Sequence, residues 1–496
     1  MGRMFLGIDL GTSAMKIVLI DQQKKVLAQI TEEYQVLSPE EGWCEMNQEK
    51  WFMSMQKGVK RLLSKCSAKQ IEGIGITGQM HTLVVLDKEG NAIRPAMMWN
   101  DLRSKELIPE LKERMKDFPG GECLSKIIST GSPAANLYWL KKNEPENYGK
   151  VHKFLIAPDY LVYRLTGVYG TDYCEASTSC LYDINKRCWS EPMREFLQLD
   201  EGVYPAVRGS AQVAGILSGE AAKELGLNAG VKVLVGTGDN PATAISMGCL
   251  GSGYPVISLG TSGVLMMTVK NTGMQAKGKK ILFSFDGRQF FNLVQGVVQS
   301  NGSTFEWWNS TIMGVDDFAR IDGMIDMVRA RQNKAIFFPH LVGDKTIYAD
   351  PTLRGAFVGL SMDMKQSDMI YTVLEGLCFG FRELAEEMQM PIYEFNSIKV
   401  VGGGSKSNTW MQILANILNI RIEKLAGITG AAYGAALMAW FENEGGQSVE
   451  QIAQGVVNVE RCFEPEPEMV SICENKYQKY LRMQKGLKYI TEGIAT

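Results

Sequence analysis

Three histidines serve 496 residues, no two cysteines stand in a CxxC pair, and no apolar run reaches the roughly 20 residues that span a bilayer. Each of these absences removes a class of protein. The ten cysteines are scattered, which is neither a disulfide framework nor a zinc site and which fits a reducing cytosol. The formal net charge is −3, so there is no basic surplus to neutralise a nucleic-acid backbone or an anionic membrane. No GxxxxGK[ST] occurs, which excludes a Walker-type phosphate loop, and no GxGxxG is followed by an acidic residue about 20 positions on, which disfavours a dinucleotide site. The chain runs straight into a β-type segment, so no signal peptide is expected. The expectation is a cytoplasmic protein with neither nucleic acid nor membrane as partner. At this length one core is not enough. Two domains are predicted, 1–248 and 249–496, divided where glycines cluster at Cys249–Tyr254.

What the chain has is a repeat. The tetrapeptide LGTS stands at Leu10–Ser13 and again at Leu259–Ser262. Each copy follows a short apolar run (Met4–Ile8, Pro255–Ser258) and precedes another (Met15–Ile20, Val264–Val269), the pattern of a hairpin. A turn of Gly, Thr and Ser exposes backbone N–H groups without side-chain bulk and adds hydroxyl donors for an oxyanion. Two such turns in two halves predict a duplicated α/β fold, with the turns facing each other across a cleft that holds a polyphosphate.

Helical spacing of Trp51, Phe52, Met55, Val59, Leu62 and Leu63 predicts a helix from Glu49 to about Leu63. Strand-like segments at Ile71–Ile76 and Leu83–Leu86 bracket Thr77-Gly-Gln-Met-His-Thr82, and another strand leads to Trp99-Asn-Asp-Leu-Arg103. A strand at Lys232–Val235 runs into Gly236-Thr-Gly-Asp-Asn-Pro241 and a small-residue helix. In the second half a long helix is predicted over Met364–Met388. The strand Ser397–Val401 opens into Gly402-Gly-Gly-Ser-Lys-Ser-Asn408 and a helix, and a last small-residue helix covers Gly430–Phe441.

Several residues admit both a chemical and a structural reading. Asp9, just before the first LGTS, can hold Mg²⁺ directly or through water, or bond locally within its turn. Asp239, at a strand end of the kind where open α/β sheets place their chemistry, can take the proton of an attacking hydroxyl. It can equally cap the helix that follows. His81 can bond a sugar hydroxyl while Met80 packs against the carbon skeleton, or be a satisfied structural histidine. Trp99, Asn100, Asp101 and Arg103 can line the same pocket or form an ordinary helix start with an ion pair. Gly402–Gly404 permit close approach of a nucleotide to backbone.

Together and in this order, these motifs resemble the FGGY family of carbohydrate kinases, within the actin-like ATPase superfamily, over nearly the whole chain. Gly7–Ser13 resembles that family's first phosphate loop, with Asp9 at the metal-associated carboxylate, and Ser258–Gly263 resembles the second. Gly402–Asn408 is similar to the adenosine segment, and Gly355–Leu360 with Leu374 and Glu375 to a C-terminal signature. Asp239 falls at the catalytic base. Gly78–His81, Trp99–Arg103, Gly238–Asn240, Pro158–Gly167 and Thr171–Tyr173 are similar to the xylulokinase branch. The chain departs from that branch at Thr82, where Gly is usual and where Met-His before a hydroxyl residue is reminiscent of gluconate kinases. Leu102, Asn136 and Gly343-Asp-Lys-Thr346 also depart from it.

The resemblance implies two ribonuclease H-like domains with a cleft between them, ATP and Mg²⁺ as cofactors, and a homodimer. It implies Asp239 and Asp9 as catalytic residues, with Asp9 also the metal ligand. Sugar binding falls to Gln79, Met80, His81, Trp99, Asp101, Arg103 and Asn240. ATP binding falls to Thr12, Ser13, Lys16, Gly260, Thr261, Ser262, Trp307, Gly403, Gly404 and Asn408. The expected reaction is ATP-dependent phosphorylation of D-xylulose at its 5-hydroxyl. Gluconate, ribulose or a hexulose is the alternative substrate, and a non-kinase actin-like ATPase is the more distant one.

Overall fold

The computed structural model describes residues 2–64, 66–117, 121–249, 251, 254–270, 278–315, 318–427, 429–444 and 455–491. Two compact units emerge, and neither is continuous in sequence. The first comprises Met1–Met247, Ile281–Asn292 and Ile428–Val456; the second comprises Gly248–Lys280, Leu293–Gly427 and Val457–Thr496.

The first unit is built on a seven-stranded sheet. Its strands are β1 (Met4–Leu10), β2 (Ala14–Asp21), β3 (Val26–Glu33), β4 (Ile71–Gly78), β5 (Val213–Ile216), β6 (Lys232–Leu234) and β7 (Thr237–Gly238). They run in the order β5-β6-β4-β1-β2-β3, with β7 beside the far end of β4. The predicted hairpin is β1–β2, antiparallel, pairing Asp9 with Lys16, while β4 lies parallel to β1 and pairs Thr77 with Asp9. Phe5, Leu6, Ile8 and Leu10 are all fully buried, so β1 is a central strand and its end is fixed by its neighbours on both sides. Helix α1 (Gln48–Leu63) starts at Asn47, whose side chain accepts from the Glu49 amide, and buries the predicted stripe Trp51, Phe52, Met55, Val59 and Leu62. A second, four-stranded sheet contains Leu83–Leu86 and Ala96–Met97. Helices α2 (Ala157–Thr166), α3 (Tyr173–Thr178) and α4 (Asp239–Ser246) complete the surroundings of the β4 and β7 ends.

A second seven-stranded sheet, most of it in the second unit, has the strands β8 (Val256–Leu259), β9 (Gly263–Val269), β10 (Lys279–Phe283), β11 (Phe291–Val298), β12 (Ser397–Val401), β13 (Arg421–Ala426) and β14 (Asn458–Phe463). Their order is β10-β11-β9-β8-β12-β13-β14. The second predicted hairpin is β8–β9, and β12 lies parallel to β8, as β4 does to β1. The strand arrangement around each LGTS is therefore the same in both units. Helices α5 (Gly302–Trp307), α6 (Gln366–Glu387) and α7 (Asn408–Leu418) precede the return of the chain to the first unit.

That return is helix α8 (Ala431–Glu444), which packs on β1 and β4 at close range. A Cβ at Gly7 would lie 2.0 Å from the Ala432 carbonyl oxygen, and one at Gly75 would lie 2.0 Å from that of Ala435. A Cβ at Gly434 would lie 1.8 Å from the Ala242 carbonyl oxygen of α4. Three glycines thus seat one small-residue helix on the sheet and beside α4. The last described helix is α9 (Pro467–Thr491), which joins α6 through a buried Lys476–Glu375 ion pair of 2.5 Å.

Candidate active site

In the first unit the β1–β2 turn is closed by the Gly11 amide donating to the Ala14 carbonyl at 3.0 Å. The Tyr34 hydroxyl donates to the Gly11 carbonyl and the Tyr34 amide to that of Ser13 (2.9 Å), so the turn is held from below. Thr12 is half-buried and Ser13 exposed, which leaves the turn open to a ligand.

Asp9 stands one residue before the end of β1. Burial and the nearby Asp239 carboxylate push its pKa up to about 7, and Lys16 pulls in the opposite sense. Asp239 is the first residue of α4, but the cap position belongs to Gly238 and carries no side-chain capping bond. The capping reading of Asp239 therefore fails. Two partly buried carboxylates that disfavour each other's charge make a place where a cation is welcome, and an all-oxygen donor set suits Mg²⁺. Among the described residues no group of three or more His, Cys, Asp and Glu side chains could hold a metal alone. Such an ion would need water and phosphate oxygens to complete its shell.

The Gln79–Thr82 loop follows β4. The Gln79 amide donates to the Leu10 carbonyl at 2.8 Å, which ties the loop to the end of β1. Its side-chain amide is buried with neither atom hydrogen-bonded. A buried amide without partners is costly, and it marks a place where a ligand or water belongs. Met80 is buried, and its sulfur accepts from Asn240 Nδ2 at 3.5 Å, which joins the loop to the residue after Asp239. His81 has φ of 70°, an uncommon conformation for a side chain of this size, and its amide donates to Glu175 Oε2 at 3.4 Å.

Thr82 accepts from the Trp99 amide through its hydroxyl oxygen at 3.1 Å. Trp99 is 45% exposed and donates its indole N–H to Thr12 Oγ1 at 3.0 Å. Asp101 and Arg103 are buried and satisfy each other. Arg103 Nε and Nη2 donate to the two Asp101 oxygens, each at 2.8 Å, and Nη2 also reaches Glu45 at 2.8 Å. Asp101 Oδ2 accepts from the Cys44 amide at 2.7 Å, and the Arg103 guanidinium lies over the Trp43 ring at 3.7 Å. Of this pair only Arg103 Nη1 has no hydrogen-bond partner. Asn136 is fully buried, its amide directed at the Gly131 carbonyl at 3.4 Å. Lys16 is exposed on β2.

In the second unit the Gly260–Ser262 turn rests on the start of α5. The amides of Gly302 and Ser303 donate to the carbonyls of Gly260 (2.9 Å) and Thr261 (3.1 Å), and Ser262 Oγ donates to the Gln299 carbonyl at 2.9 Å. Trp307, at the end of α5, is 38% exposed. The three glycines after β12 have different duties. Gly402 has φ of 98° and lies against the Leu259 backbone, and Gly404 packs against Trp410. Only Gly403 faces open space. Asn408 is exposed at the start of α7, which Ser407 caps through the Trp410 amide at 2.9 Å.

Sequence reasoning gave no role to the carboxylates Asp159, Asp172 and Glu175, of which Glu175 holds the Met80–His81 loop. Asp172 caps α3, with Oδ1 accepting from the Glu175 amide at 2.9 Å and Oδ2 from the Thr237 hydroxyl at 2.6 Å. Burial pushes the Asp172 pKa up to about 6 and those of Asp159 and Glu175 well above the usual carboxylate range. The available signal was Asp172 three residues before Glu175, the spacing of a helix start.

Two matching phosphate-type hairpins, and the neighbouring carboxylates Asp9 and Asp239 at strand ends, are features that phosphoryl transfer from a nucleotide would use. Residues 4–246 match the N-terminal domain of the FGGY family of carbohydrate kinases, and residues 256–442 match its C-terminal domain. Xylulose kinase of Bacillus subtilis (strain 168) is 30% identical over 493 residues, which is 99% of this chain and 98% of that protein. A crystal structure of a xyloylose kinase from Brucella ovis matches with TM-score 0.85 at 30% identity, over 98% of this chain and 100% of that one. A gluconate kinase from Lactobacillus acidophilus shares the fold, with TM-score 0.84 at 23% identity, over 98% of each chain. The chain belongs to the FGGY family of carbohydrate kinases. It is a sugar kinase, and ATP is the co-substrate that this membership implies. No helix among the described residues is long and apolar enough to cross a membrane.

Proposed function

We propose that this kinase transfers the γ-phosphoryl group of ATP to the 5-hydroxyl of D-xylulose, with Asp239 as general base. The observation that carries the reading is the convergence of Asp9, Asp239 and the Met80–Asn240 contact at the ends of neighbouring strands. The xylulose kinases at 30% identity support the choice of sugar.

In this reading Met80, His81 and Asn240 grip the sugar, and the unsatisfied Gln79 amide and Trp99 bond its hydroxyls. Asp101 and Arg103 act mainly as the frame behind Trp99, with Nη1 of Arg103 left for a sugar oxygen. Asp239 takes the proton from the attacking hydroxyl as the new P–O bond forms. Thr12, Ser13 and Lys16 bind the transferred phosphoryl group. In the second unit Gly260, Thr261 and Ser262 bind ATP phosphates, while Trp307, Gly403, Gly404 and Asn408 receive the adenosine. Mg²⁺ bound at Asp9 would supply neutralisation of phosphate charge. In this reading the N-terminal domain, 1–248, carries sugar, base and first loop, and 249–496 carries the second loop and adenosine, although 281–292 and 428–456 cluster with the first unit. The cysteines are scattered, with no CxxC pair, which supports a reducing, cytoplasmic location, and we assign a homodimer on the family resemblance.

The test is product identification. Incubation with D-xylulose and ATP should yield a monophosphate whose phosphorus couples by NMR to the C5 protons. Phosphate on another carbon, or no sugar phosphate at all, overturns the assignment.

A further inference from the structure

The short helix α3 touches both single-copy loops of the site. At its start Asp172 accepts from the hydroxyl of Thr237, two residues before Asp239. One turn on, Glu175 Oε2 accepts from the amide of His81. Glu175 also lies against the strand that leads to the base, since a Cβ at Gly238 would stand 3.0 Å from its Oε1 and 2.5 Å from Met80 Cγ. The loop that ends in His81 and the strand that ends at Asp239 are therefore spaced by the Glu175 side chain. We propose that Glu175 is a positioning residue for sugar binding, fixing the left-handed turn of His81 and the distance between Met80–His81 and Asp239–Asn240.

The reasons lie in geometry and in cost. A backbone φ of 70° at His81 persists only where its surroundings hold it, and the amide bond to Glu175 is such a hold. Glu175 is buried and holds the His81 amide, so it acts through the loop. Its Oε1 has no hydrogen-bond partner, and the acidic groups facing it are Asp159, Asp172 and Asp239. Burial and those neighbours push the Glu175 pKa well above the usual carboxylate range and so disfavour its charged form, while Oε2 accepts from the His81 amide. Glutamine has the same length and an uncharged acceptor oxygen. Aspartate keeps the acid but is one methylene too short to reach His81.

This inference rests on the sugar-kinase site proposed above, and its test separates the two. Steady-state kinetics of the full chain are compared for wild type, Glu175→Gln and Glu175→Asp, using the best sugar of the wild type. Glu175→Gln should keep the sugar KM within about threefold of wild type. Glu175→Asp should raise it about tenfold, with the KM for ATP within twofold. A wild-type sugar KM in Glu175→Asp, or equal impairment in both variants, overturns the inference. So does a Gln variant worse than the Asp variant, which would mean that the acid itself is needed. A wild type that turns over no sugar removes the site assignment instead.

Discussion

The indole N–H of Trp99 donates to the hydroxyl of Thr12 across 3.0 Å. One residue belongs to the proposed sugar pocket and the other to the first phosphate turn, so the two substrates' binding elements share a hydrogen bond. Trp99 is itself set by Thr82 through its amide, and Gly131 lies so close that a Cβ there would meet the Trp99 carbonyl at 1.9 Å.

Trp99→Phe keeps an aromatic ring and removes the donor. A hydrogen bond of this kind is worth about 1 kcal/mol. We expect kcat/KM for ATP to fall about fivefold with the fold intact. Unchanged kinetics would show that the bond does not order the turn.

Asp239→Asn and Asp239→Ala remove the base. Turnover should fall by about 10²–10⁴ in each, while ATP binding, measured by calorimetry, stays within twofold. Near wild-type kcat in both variants would contradict the assignment.

The seat of α8 should tolerate no side chain. Gly75→Ala sets a methyl against the Ala435 carbonyl, and Gly434→Ala sets one against that of Ala242, both in backbone that cannot yield cheaply. Each should cost about 3 kcal/mol and lower Tm by roughly 5 °C. An unchanged Tm in either would mean that the helix sits further from the sheet.

Glu383 of α6 is buried and accepts from the hydroxyls of Tyr348 and Tyr480, the latter at 3.0 Å. Burial is the main cause that pushes its pKa from the ordinary 4.5 up to about 7. The folded state then holds this proton more tightly than the unfolded state. The stability it contributes is complete below pH 4.5 and is lost as pH rises to about 7, a change of about 3 kcal/mol. Glu383→Gln should therefore stabilise the protein relative to wild type at pH 8 and not at pH 4.5. Parallel Tm profiles of the two across that range would contradict the shift.

Much of this was legible in the chain because local signals sufficed. Both LGTS turns are hairpins, and the stripe Trp51–Leu62 is the buried face of α1, since period and turn chemistry act within a few residues. What escaped depends on distant partners. The alanines and glycine of 431–436 announce close packing, but nothing local says that they pack on strands more than 350 residues earlier. Asp239 suits a helix cap in isolation, and only the fold hands that position to Gly238. Asp101 and Arg103 read equally as pocket residues or as an exposed ion pair, and only the fold buries that pair against Glu45, Cys44 and Trp43. Glu175 has no motif of its own, and its role comes from His81, 94 positions earlier.

The most direct test of the central claim is sugar-dependent ADP release by the intact protein over a panel of D-xylulose, D-ribulose, gluconate and a hexulose. The account predicts the highest kcat/KM for D-xylulose, with little ADP formed when no sugar is present. A preference for gluconate or another sugar, or ATP turnover indifferent to every sugar, would contradict it.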